Sequence, residues 1–264
     1  MAAWTACFST ADIPVLRDTA DSLEALRLNE DQTDANSIGE MISVDPLMTL
    51  KVLAYESGHR GRRVVTPAET VTSALVMMGI PPFFRAFGKQ PAVEDWLEPQ
   101  PGALTGLRNL LKRAHRGADF ALAFAIHRTD PDAAVIHASA LLRDFAEMLL
   151  WCHAPDLALR IEGAQLADSR LRSSAIQIEI LNVELSDLQR TLTRAWRLPP
   201  LFADVTGPSI ASGDTSARIV ELATRLARHS GHGWDDAAIP DDVSEIAGML
   251  NLSPAAALEL IQQV

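Results

Sequence analysis

The chain has 264 residues, 48% of them hydrophobic and 22% charged, with a formal net charge of −11. That apolar share is typical of a globular protein with a real core and excludes a disordered chain. No apolar run approaches the ~20 residues of a membrane span, residues 1–14 lack the basic start of a secretory signal, and Cys7 and Cys152 are too few for a disulfide framework. A cytoplasmic protein is the expectation, and the acidic balance argues against nucleic acid as a partner.

Aromatic residues are 5% of the chain, Tyr occurs once, and apolar residues recur at spacings of three and four. Those features predict an all-α protein. Helices are expected over 13–28 and 36–44. Asp45-Pro46 then opens another, because an acidic cap followed by proline pre-sets the first turn. Leu47, Leu50, Val52, Leu53 and Ala54 follow, with Gly58 after them. Thr66-Pro67-Ala68-Glu69 reads as a capping box for a helix that carries Val71, Ala74, Leu75 and Met78 on one face. Gly79 is placed to end it in a left-handed conformation. Pro81-Pro82 and the stretch Pro91–Gly102 read as punctuation, the second as the best candidate for a hinge. Further helices are expected over 103–128, after Asp130-Pro131, over 155–168, 172–182, 184–196, 214–229 and 242–250, and after Ser253-Pro254. Gly207–Gly213 reads as a loop, Met41, Met48, Met77 and Met78 as core filler, and Trp196 as an aromatic anchor at a helix end.

Charge is uneven. Residues 1–50 hold Arg17 and Arg27 against nine acids, residues 51–90 are net +4, and residues 230–264 contain six acids and no Lys or Arg. The sharpest basic feature is His59-Arg60-Gly61-Arg62-Arg63, read as a solvated run or, functionally, as an anion site. Arg108, Lys112, Arg113 and Arg116 form a second cluster at helical spacing. No glycine-rich phosphate loop, zinc motif or nucleophile elbow is present. His115 with Asp119, and His137 with Asp144, are lone pairs that a metal site would have to supplement.

Several segments, taken in order, resemble the HDOD domain family, bacterial helical relatives of the HD metal phosphohydrolases. They are Ile13-Pro14-Val15-Leu16, the run from Ile42 to Leu53 with Asp45-Pro46 and Lys51-Val52-Leu53, the segment Val65–Gly79, Ala140 to Asp144, Glu179, and Trp196-Arg197-Leu198-Pro199. The resemblance implies an HD-domain-like helical bundle of two lobes, with the whole chain as one such unit and lobes near 1–100 and 101–264. It also implies where the metal-binding side chains of HD enzymes would fall. His115 stands at the first histidine and Arg143-Asp144 at the His-Asp doublet. Leu185 stands at a later histidine and Thr224 at the distal aspartate. Arginine cannot lend a lone pair to a metal, so the set is incomplete, and neither a catalytic centre nor a cofactor is expected. Glu56-Ser57 stands where members usually carry Asn-Ser.

The leading expectation is therefore a non-catalytic signal-transduction module that binds a partner protein. One alternative is a sensor of a phosphate-bearing ligand or nucleotide through Arg60, Arg62, Arg63 or Arg143. Another is a phosphohydrolase with altered ligands, in which His115 and Asp144 converge with His137 or Asp187.

Overall fold

A computed structural model describes residues 1–59, 67–168, 170–204 and 214–264, with the backbone alone at 203, 204 and 232. In chain order the helices are α1 (Ala2–Thr10), α2 (Arg17–Arg27), α3 (Ala35–Ser43), α4 (Pro46–His59), α5 (Val71–Met78), α6 (Ile80–Ala86), α7 (Val93–Trp96), α8 (Pro101–His127) and α9 (Ala133–Leu141). There follow α10 (Phe145–His153), α11 (Pro155–Ala167), α12 (Ser173–Leu181), α13 (Leu185–Ala195), α14 (Pro200–Asp204), α15 (Thr215–His229), α16 (Ile239–Leu250) and α17 (Pro254–Gln262). The described residues contain no strand beyond an isolated parallel bridge between Val15 and Ala92. The fold is all-α, as the composition predicts.

The residues gather into two compact units, each made of two separated stretches. The first comprises Met1–Asn109 and Asp144–Pro199, and the second Leu110–Arg143 and Pro200–Val264. This partition differs from a contiguous cut near residue 100. The Pro91–Gly102 stretch lies wholly inside the first unit, where it carries the bridge, α7 and the start of α8.

In the first unit, α13 shows how the pattern becomes packing. Leu185, Leu188, Gln189, Leu192 and Thr193 fall on one face at spacings of three and four, and all are buried. The helix α10 buries seven of its nine residues, Phe145, Ala146, Met148, Leu149, Leu150, Trp151 and Cys152. Apolar on nearly every side, it has no polar face to betray it in the sequence. In the second unit α15 turns Val220, Ala223, Leu226 and Ala227 inward, and it packs against α9.

Some helix starts differ from expectation. Asp45 and Ser253 do cap α4 and α17, but α4 runs through Gly58 to His59. Thr66 lies outside the described residues, and Pro67 to Glu69 are not helical. The capping box belongs to Thr70 and Ser73 instead, each side chain meeting the other's backbone N–H. Either hydroxyl does what the predicted Thr and Glu would do, one turn later. Asp130 makes a turn, accepting from Asp132 N–H at 2.9 Å, and α9 begins at Ala133. Pro81 and Pro82 sit inside the first turn of α6, where a missing N–H costs nothing. Gly79 precedes them at φ +80. Met48 is buried, but Met77 is exposed, against its reading as core.

Candidate functional site

The recognisable run of residues 42–57 proves to be a set of clamps within the first unit. Asp45 is fully buried, and no cation among the described residues contributes to its environment. Its carboxylate accepts from the backbone N–H groups of Leu16 at 2.8 Å, Leu47 at 2.9 Å and Met48 at 3.1 Å, and from the Thr19 hydroxyl. Burial pushes its pKa up, and these four donors pull against that shift. One side chain thus caps α4 and ties it to the start of α2.

Lys51, two turns further along α4, donates to the Ile13 carbonyl at 2.8 Å and to Gln90 Oε1 at 2.6 Å. Its ammonium also pairs with Asp12 at 2.6 Å. The segment it joins, at the 13–16 stretch, hydrogen-bonds onward through Val15 to Pro91 and Val93. Ser57 donates to the Arg197 carbonyl at 2.7 Å. Arg197 has φ +53, a left-handed conformation that is strained for a side-chain-bearing residue, and the serine braces it. Trp196 beside it stacks on Phe145 with ring centres 5.7 Å apart, the expected anchor. Glu56 is buried.

The HD-type positions divide between the units. In the first, Leu185 begins α13 with its side chain buried and its N–H donated to Gln177 Oε1 at 3.0 Å. Asp144 is half-buried at the start of α10. In the second, Arg143 follows α9. Thr224 donates back along α15 to the carbonyls of Val220 at 2.8 Å and Glu221 at 3.2 Å. Gly117 of α8 lets α15 approach so closely that an added Cβ would stand 3.2 Å from the Thr224 methyl. His115 and Asp119 lie on α8, and both act on His137 of α9. Burial, the larger influence, pushes the His137 pKa down; Asp119 opposes it and His115 adds to it. Asp187 of α13 pairs with Arg190.

Arg60, Arg62 and Arg63 lie outside the described residues. His59, which precedes them, stacks on Tyr55 at 3.9 Å. The other basic cluster disperses: Arg108 pairs with Glu94 at 3.6 Å in the first unit, while Lys112, His115 and Arg116 line a cleft of about 450 Å³ in the second.

The model of the HDOD domain matches residues 13–208. The chain belongs to the HDOD domain family. No curated protein matches it. Solved structures with a similar fold include the MmoQ response regulator of Methylococcus capsulatus, at TM-score 0.68 and 18% identity over 96% of this chain and 98% of that one. A virulence factor of Campylobacter jejuni gives 0.66 and 15% over 98% and 96%. An HDOD domain protein of Geobacter sulfurreducens gives 0.52 and 11% over 99% and 93%. At these identities the likeness is one of fold.

In this HDOD chain the positions that the resemblance to HD enzymes singles out carry these groups. Leu185 offers a hydrocarbon, Arg143 a cation, and Thr224 a hydroxyl bonded within its own helix. Among the described residues no group of three or more His, Cys, Asp or Glu side chains is placed to hold a metal ion. The described residues also contain no helix long and apolar enough to cross a membrane. Sequence reasoning pointed to the Asp45-Pro46 run by its residues but missed what its partners are, because Leu16, Gln90 and Arg197 are distant in the chain.

Proposed function

We infer that this HDOD chain is a non-catalytic regulatory module of signal transduction that acts by binding a partner protein. The observation that carries the reading is the use to which the motif's polar side chains are put. Asp45, Lys51 and Ser57 all bond to backbone groups of distant segments, and Asp45 and Ser57 are buried in doing so. Side chains held this way shape a surface; catalytic groups must instead reach a substrate in a cleft. The incomplete ligand set at Arg143, Leu185 and Thr224 supports the same reading, and so does the response regulator among the proteins of similar fold.

Two measurements test it. Metal analysis with assays on phosphodiesters and nucleotides is expected to find neither stoichiometric metal nor turnover. Turnover that Asp144→Ala abolishes would overturn the non-catalytic reading. Affinity capture across several growth conditions, followed by titration of the purified pair, is expected to give a saturable complex. Failure to find any such pair counts against partner binding.

A further inference from the structure

The cleft in the second unit has the makings of a ligand site. Lys112, His115, Arg116 and Asp119 of α8 line it, spaced so that they share one face of the helix. Trp234 and Ile261 of α17 form part of the other wall. Arg116 is held in place from three sides. Its guanidinium carbon lies 5.2 Å from the Trp234 ring centre and 5.5 Å from that of Phe120, and Nη1 donates to the Ser230 carbonyl at 2.7 Å. The bond to Ser230 takes one of five guanidinium N–H donors. A planar cation so oriented keeps a fork suited to phosphate oxygens.

Lys112, one turn earlier, is exposed and adds a second positive charge. Asp119, about one turn later, is an exposed acceptor on the same face. Trp234 remains 40% exposed at the cleft, so a large aromatic surface is open to a flat ring. The volume lies within the range of about 300–1,000 Å³ typical of small-molecule sites, which combine apolar walls with a few convergent polar groups.

We propose that this cleft binds a nucleoside monophosphate, its phosphate on Lys112 and Arg116 and its base against Trp234. Asp119 accepts from a sugar hydroxyl or a base N–H. Charge selects the monophosphate over longer chains. Asp119 sits beside the two cations, and residues 230–264, which supply the facing wall, contribute no Lys or Arg to neutralise further phosphates.

Calorimetric titration of the full chain with AMP, ATP, adenosine and inorganic phosphate tests the site. AMP is expected to saturate in the micromolar to low-millimolar range, with ATP, adenosine and phosphate each weaker by about tenfold or more. Lys112→Glu and Trp234→Ala alter exposed side chains. Each is expected to weaken AMP by about tenfold or more; Lys112→Glu leaves the circular dichroism and melting temperature unchanged, and Trp234→Ala, which also removes the ring packed on Arg116, leaves the circular dichroism unchanged. No saturation by AMP at ~10 mM, or wild-type affinity in both variants, overturns the site. ATP binding more tightly than AMP overturns the charge selection. Binding is read without any protein partner, so its failure is distinguishable from failure of the regulatory reading.

Discussion

Two of the buried carboxylates, Asp45 in the first unit and Asp242 in the second, are stabilised in opposite ways. Asp45 in the first unit is held by backbone N–H groups and one hydroxyl, with no cation among the described residues in contact. Asp242 in the second is held by cationic or titratable side chains: Arg225 Nε at 2.7 Å and His229 Nδ1 at 2.6 Å, both from α15. Arg225 reaches on to Glu245 at 2.9 Å, which also pairs with Arg218. Backbone donors are fixed by the chain path, so Asp45 locks a local turn and the segment that passes it. Side-chain partners link two whole helices, α15 and α16, and remain adjustable because alternative pairs lie nearby.

The largest effect is expected at Asp45. Asp45→Ala leaves three backbone N–H groups without their acceptor and is expected to cost about 3–5 kcal/mol in urea unfolding. A loss below about 1 kcal/mol would remove the clamp from the account. Asp242→Ala is expected to cost less, about 2–3 kcal/mol, because Arg225 retains Glu245 and partial access to water. A larger loss at Asp242 than at Asp45 would reverse the comparison.

The packing of the first unit can be probed without touching charge. At Gly106 of α8 an added Cβ would collide with the Trp151 ring, so Gly106→Ala is expected to destabilise by about 1–3 kcal/mol. Gly163 of α11 has open space, and Gly163→Ala is expected to stabilise by up to about 1 kcal/mol. Equal effects at the two glycines would show that propensity, rather than the indole contact, governs.

The smallest effect is a pH slope to which each unit contributes one histidine. Burial lowers the pKa of His153 in the first unit, opposed by Asp12, and of His137 in the second. In each case the unfolded chain takes up a proton first. Stability is therefore full above the ordinary histidine value of ~6.5 and falls as pH drops below it, by at most about 1.4 kcal/mol per pH unit for each group. Equilibrium unfolding between pH 7.5 and 5 is expected to show the slope, and His137→Gln to remove the second unit's share. Asp45 acts in the opposite sense: with its pKa raised by burial, its contribution is present below the ordinary aspartate value and lost as pH rises through the folded one.

Much of the fold was legible. The helices at 103–128, 155–168, 172–182, 184–196 and 214–229 follow from a periodicity that each helix carries alone. The helix α10 was not legible, because a segment buried on nearly all sides shows no amphipathic stripe. Nor was α6, whose paired prolines suit a first turn as well as a break. Of the candidate site, the motif residues could be picked out, but His115 proved to line a cleft with Trp234, more than a hundred positions away in the chain.

By itself the sequence determined helical character and the caps at Asp45 and Ser253, since both depend on residue type and on neighbours within a turn or two. The tertiary structure alone decided that Lys51 and Ser57 clamp remote backbone, that Asp242 is buried against α15, and that Arg116 lies between two aromatic rings. Those outcomes depend on which distant segments meet, and a pattern confined to one turn of helix carries no record of its partner.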